Sequence, residues 1–125
     1  LLFRADVPEL VAYGLDVTLK CTMEAEACLE RFQGGPFEVV REMAEVWFRR
    51  TDRITFHDPL AATCIFEPDI CTYRTGRVAV DLERGEKFGE TSFEEAAEGP
   101  HRIADGVDPD RFFRRYFEVT GAFRP

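Results

Sequence analysis

The chain has 125 residues, a formal net charge of −8, an apolar fraction of 45% and twelve phenylalanines. That is one domain's length, with enough apolar material to bury roughly two-thirds of the unfolded surface, which excludes a disordered chain. No basic patch offsets the acidic balance, so neither nucleic acid nor an anionic membrane is expected as a partner.

Leu10-Val11-Ala12-Tyr13-Gly14-Leu15-Asp16-Val17 is a short apolar run and predicts a buried strand. Thr22 is placed to cap a helix with Ala25, Cys28, Leu29 and Phe32 on its inner face, ending at Gly34-Gly35. Pro36 opens the next helix, whose apolar stripe is Phe37, Val40, Ala44, Trp47 and Phe48. Asp58-Pro59 then reads as a helix start, an N-cap oxygen followed by a residue whose fixed φ suits the first turn. Leu60, Ala61, Ala62, Cys64, Ile65 and Phe66 are apolar almost all round, so this short helix is expected to be buried before Glu67-Pro68-Asp69 ends it.

Residues 70–82 read as a strand in which Val78, Val80 and Leu82 alternate with polar neighbours and Gly76 marks a turn or bulge. Residues 86–93 fit neither period. His101–Val107 predicts a strand, and Asp108-Pro109 repeats the cap-plus-proline signal. The last helix would bury Phe112, Phe113, Tyr116 and Phe117, with Gly121 as its stop. This order of strands and helices indicates an α/β or α+β layer rather than a bundle. No run of 18 apolar residues exists and Leu1-Leu2-Phe3 stops at Arg4, so no membrane span or signal peptide is expected.

His57 and Asp58 stand out for chemistry. A buried helix presenting them at its positive end suits acid chemistry or a metal; the alternative is a simple cap with a satisfied neighbour. Cysteines at 21, 28, 64 and 71 lack the spacing of a zinc site, and buried reduced thiols are the expectation. Arg49, Arg50, Asp52 and Arg53 read as a solvated face, and His101 as structural. Gly14 and Gly34-Gly35 lack the spacing of a phosphate loop.

Phe56-His57-Asp58-Pro59-Leu60-Ala61-Ala62 resembles the C-terminal signature of the inosine–uridine-preferring nucleoside hydrolases. Gly14-Leu15-Asp16-Val17-Thr18 is similar to a segment that precedes the signature in that family, and Phe66-Glu67-Pro68-Asp69-Ile70-Cys71 to the one that follows it. Gly99-Pro100-His101-Arg102-Ile103-Ala104 and Asp108-Pro109-Asp110-Arg111-Phe112-Phe113 resemble the last strand and helix of its bacterial branch. The resemblance implies an α/β fold, the C-terminal portion of an open doubly wound sheet with flanking helices. Ligands in such sheets collect outside the carboxyl ends of the strands, where the His57-Asp58 turn would sit.

The implied reaction is hydrolysis of the N-glycosidic bond of a ribonucleoside, through an oxocarbenium-like state. In it, Asp58 matches a Ca²⁺ ligand and His57 the acid that protonates the departing base. Because the positive end of a helix disfavours imidazolium, that role requires a compensating acceptor, which the sequence does not identify. An aromatic residue ahead of the signature packs on the nucleobase in this family, a role open to Trp47 or Phe48 beside core packing.

The family's N-terminal Asp-x-Asp-x-x-x-Asp-Asp run is absent, as are its ribose-gripping asparagines. Residues 1–125 are therefore expected to be a single domain, the C-terminal fragment of a longer enzyme, and the start at Leu1 fits that reading. Such a fragment would bind Ca²⁺ weakly and be inactive alone. Its first strand would expose an edge and an apolar face, favouring a homo-oligomer. A cytoplasmic location is expected. Two other classes remain: a non-catalytic remnant that oligomerises or binds a partner, and a metal-dependent phosphohydrolase, disfavoured because only two histidines exist.

Overall fold

The computed structural model describes residues 2–122. After a 3-10 turn at Leu2–Arg4 come β1 (Val11–Tyr13), α1 (Leu15–Thr18), β2 (Thr22–Glu24), α2 (Ala25–Arg31), α3 (Phe37–Trp47), β3 (Arg53–Thr55) and α4 (His57–Phe66). A second 3-10 turn, Pro68–Ile70, leads into β4 (Cys71–Val80), β5 (Thr91–Glu95), β6 (His101–Val107) and α5 (Pro109–Ala122). The main sheet has the order β1-β6-β4-β5, and β2 pairs with β3 separately. β1 runs parallel to β6 while β4 is antiparallel to both its neighbours, so the sheet is mixed, with helices flanking it in the expected α/β architecture. Among the described residues no helix is long and apolar enough to cross a membrane.

One core joins Ala104 of β6 and Cys71 of β4 to Val17, Cys28, Phe37, Leu60, Cys64 and Phe112 of the helices. Phe56, at the junction of β3 and α4, sits in the middle of its aromatic part. Its ring lies 5.2 Å from Phe113 and 5.4 Å from Tyr116, both edge-on, the geometry that ring quadrupoles favour. α5 starts as expected: the Asp108 carboxylate accepts the Arg111 N–H at 3.0 Å, satisfying one of the orphan donors of the first turn.

Several expected elements differ. The strand expected over 10–17 stops at Tyr13, because the Gly14 carbonyl accepts both Val17 N–H (3.1 Å) and Thr18 N–H (3.0 Å) and turns the chain into α1. Thr22 does not cap α2. It lies in β2, its hydroxyl bonded across the ladder to Thr55 at 2.9 Å, and Glu24 occupies the cap position without a side-chain bond. On α3 only Phe37 and Ala44 are buried; Val40 and Trp47 face solvent, since the helix meets the core through the Phe37 ring against Tyr116 and Phe117.

α4 is buried on one stripe, Leu60 and Cys64, and leaves Ile65 74% and Phe66 82% exposed. β4 ends at Val80, and Leu82 is exposed. Its irregularity falls between Thr72 and Tyr73, not at Gly76. Gly76 sits in regular pairing with Glu95 and His101, and a Cβ there would collide with the Glu94 carbonyl and the Phe93 ring. Close approach, not a turn, demands that glycine. The ambiguous stretch ends in β5, and α5 continues through Gly121.

Candidate functional site

Phe56 fixes where α4 begins. Its N–H donates to the Cys21 carbonyl at 2.9 Å, its own carbonyl accepts from Leu60, and its ring is buried to 3% exposure. The next residue, His57, is therefore the first of the helix, and Asp58 lies inside the first turn rather than at the cap. That differs from the expected cap at Asp58, and it changes what the carboxylate can do. Freed from capping, Asp58 makes no hydrogen bond or ion pair among the described residues.

α1 lies beside this end of α4. Thr18, 2% exposed, brings its hydroxyl within 2.8 Å of His57 Nδ1. Nδ1 either donates to this oxygen or accepts the Thr18 O–H, according to the tautomer. Nε2 is then the ring nitrogen left for a ligand.

A cavity of about 890 Å³ opens here, lined by Tyr13, Gly14, Asp16 and Thr18 from the β1–α1 turn and by His57, Asp58 and Ala61 from α4. Phe3, Val78, Phe93, Ile103 and Ala104 supply most of its apolar wall. It lies at the carboxyl end of β1, as the doubly wound rule requires. Among the described residues Asp16, like Asp58, makes no hydrogen bond or ion pair, and no lysine or arginine lines the cavity. Two free carboxylates without a cation repel phosphates and suit either a cation or a neutral ligand rich in hydroxyls. Ca²⁺ takes six to eight oxygens. No group of three or more potential ligands occurs among the described residues, so these side chains alone do not make a calcium site.

Trp47 and Phe48 do not join His57 and Asp58. Trp47 is 57% exposed, with its indole N–H on the Arg53 carbonyl at 3.2 Å; Phe48 packs on the core and borders a separate depression with Ala25, Arg50, Thr51 and Asp52. His101 is structural. Its Nδ1 accepts the Val78 N–H at 2.9 Å and its Nε2 meets the Phe3 carbonyl at 3.1 Å, which fixes the neutral Nε2–H tautomer. All four cysteines are buried and free.

Asp16 and Thr18 escaped the sequence reading as site residues. Both lie in the Gly14–Thr18 motif, within and just after a run that reads as a buried strand, and the turn at Gly14 that carries them into α1 beside α4 is not legible there.

The family model for the inosine-uridine preferring nucleoside hydrolases matches residues 1–114. No curated protein matches the sequence. Among solved structures, the purine-preferring ribonucleoside hydrolase from Gardnerella vaginalis superposes with a TM-score of 0.73 at 23% identity, covering 96% of this chain and 42% of that one. A plant nucleoside hydrolase gives 0.70 at 20% identity, covering 92% and 42%. An inosine-guanosine nucleoside hydrolase gives 0.67 at 16% identity, covering 87% and 38%. This chain thus spans about two-fifths of the length of the solved relatives. With the family match over nearly its whole length, the chain belongs to the inosine-uridine preferring nucleoside hydrolase family.

Proposed function

We propose that this chain supplies the leaving-group side of a ribonucleoside hydrolase site, in which water replaces the base at the anomeric carbon of ribose. The observation that carries the reading is His57 and Asp58 together at the start of α4, opening on a cavity lined by two free carboxylates and, among the described residues, by no lysine or arginine. Protonated His57, held through Nδ1 by Thr18, gives its Nε2 proton to the departing base. The apolar wall excludes water from the base, and the absence of cationic side chains selects nucleosides over nucleotides. Asp58 is the residue that would hold a calcium ion from this side, and such an ion would supply charge to orient ribose hydroxyls and the attacking water. The remaining ligands have to come from residues other than these, so the 125-residue chain alone binds calcium weakly and is inactive.

Release of ribose from inosine and uridine tests this on both the bare chain and the product of the complete reading frame. The bare chain should release none. In the complete product, Asp58→Ala should abolish turnover together with calcium affinity. His57→Ala should lower kcat by about 10²–10⁴-fold for natural nucleosides and far less for p-nitrophenyl riboside, whose leaving group needs no proton. Equal losses on both substrates would remove His57 from acid catalysis, and turnover by the bare chain would overturn the incomplete-site reading.

A second reading, a non-catalytic module that assembles through Ile65, Phe66 and the open edge of β1, is favoured by their exposure. It predicts self-association of the bare chain in sedimentation experiments, and a complete product without hydrolase activity.

A further inference from the structure

Cys64 and Cys71 are seven residues apart in sequence, at the end of α4 and the start of β4, and their sulfurs lie 3.6 Å apart. The Pro68–Ile70 turn folds the connection back so that the helix stripe carrying Leu60 and Cys64 meets the first residue of the strand. No other two sulfurs are hydrogen-bonded among the described residues; Cys28 instead approaches the Met23 carbonyl at 3.9 Å. A disulfide needs sulfurs about 2.05 Å apart, about 1.5 Å closer than these two lie.

We propose that Cys64 and Cys71 form a redox modification site, in which a peroxide converts the neighbouring thiols to a disulfide that staples α4 to β4. The site stands on the thiol geometry and does not depend on nucleosides being substrates. Two further observations support it. A second cavity, of about 590 Å³, is lined by Tyr13, Ala61, Cys64, Ile65 and Tyr73, giving a small oxidant a path to one sulfur of the pair. Either sulfur can donate across the contact; a hydrogen bond from Cys71 brings Cys64 down to about 7, while the same contact and burial push Cys71 above the ordinary thiol range. Cys64, the sulfur on the cavity wall, is the first nucleophile and Cys71 the resolving thiol.

The chemistry balances. The Cys64 thiolate attacks one peroxide oxygen, the O–O bond breaks, and a sulfenic acid and hydroxide result. Cys71 gives its proton to that hydroxide and attacks the Cys64 sulfur. The S–S bond forms as the S–O bond breaks, and the second oxygen leaves as hydroxide and takes up the proton that Cys64 had lost. Two thiols are oxidised by two electrons and one hydrogen peroxide is reduced to two waters. A dithiol reductant reverses the bridge. Cys64 lies two helical turns from His57 on the same stripe of α4, so the bridge fixes the far end of the rod that positions the candidate site.

The test uses the whole 125-residue chain. Stoichiometric hydrogen peroxide is followed by N-ethylmaleimide trapping in denaturant and peptide mapping. The number of trappable thiols should fall from four to two, with Cys21 and Cys28 still labelled, and a crosslinked peptide should join Cys64 to Cys71. Dithiothreitol should restore all four. Cys71→Ala should stop at a sulfenic acid on Cys64 that dimedone captures; if that variant does not fold, the wild-type map decides alone. Four trappable thiols after peroxide, a bridge to Cys21 or Cys28, or sulfinic acid on Cys64 with Cys71 free would each overturn the proposal.

Discussion

Replacing Phe56 with alanine should remove a large share of the stability of this domain. Its ring is 3% exposed and lies between 5.2 and 6.3 Å from five others, those of Phe32, Phe112, Phe113, Tyr116 and Phe117. Burial of about 150 Å² at ~25 cal/mol per Å² gives about 4 kcal/mol. Truncation of core phenylalanines to alanine costs about 3–5 kcal/mol, and a site walled by rigid rings collapses poorly, which favours the upper end. A domain of this length holds on the order of 6–19 kcal/mol in total. Phe56→Leu, which keeps apolar volume but loses the edge-on ring contacts, should cost about 1 kcal/mol. Urea unfolding followed by far-UV circular dichroism measures both, with unchanged slopes as the check on two-state behaviour. Because Phe56 also sets the first residue of α4, hydrogen exchange at Leu60, whose N–H bonds to the Phe56 carbonyl, should accelerate in the alanine variant. A loss below about 1 kcal/mol with unchanged slope would refute the claim that the aromatic cluster holds this end of the helix.

Gly76→Ala should lower stability by about 1–3 kcal/mol, read as a fall in Tm, because the added methyl meets the Glu94 backbone and the Phe93 ring. Asp108→Ala should cost about 1 kcal/mol in urea unfolding through loss of the cap on α5. Thr18→Val should keep the fold and move the ¹⁵N resonance of His57 Nδ1 while leaving Nε2 nearly unchanged; equal movement of both would deny Thr18 its role. The hydrogen bond from Arg111 holds the Asp69 carboxyl below the usual carboxylate range. A depressed folded value means a contribution fully present above the unfolded value of about 3.9 and lost as pH falls through the lower folded one. A ¹³C titration should show this, and Arg111→Gln should return Asp69 to the ordinary range.

What the sequence revealed was what local chemistry decides. Asp108-Pro109 starts a helix because a carboxylate and a fixed φ act within one turn, and the structure shows the bond they imply. His57 and Asp58 fell at a helix N-terminus for related reasons, although Phe56, held by distant rings, moved the start earlier and freed Asp58. The turn at Gly14 was illegible, since an apolar run of eight residues fits a strand and a strand-plus-helix equally well. Gly76 looked like a turn because the close approach that requires it comes from β5, almost twenty residues away. The contact of Cys64 with Cys71 was hidden for the same reason: a spacing of seven acquires meaning only once the Pro68–Ile70 turn is known.

The pairing of β1 with β6 has a kinetic consequence. The Glu9–Arg102 ion pair that flanks it joins residues 93 apart, and Arg102 N–H reaches back to the Leu10 carbonyl. A parallel pair this remote in sequence is a poor folding nucleus, because the entropy of closing so long a loop is lost before any contact rewards it. The β4–β5 hairpin and the β6–β4 pairing are nearer in sequence and can form first, leaving β1 to dock onto a sheet already in place. Tyr13, Gly14, Asp16 and Thr18 arrive with β1, whereas Ile103 and Ala104 wait on β6. The cavity needs both strands, and during synthesis it cannot exist until β6 has emerged from the ribosome.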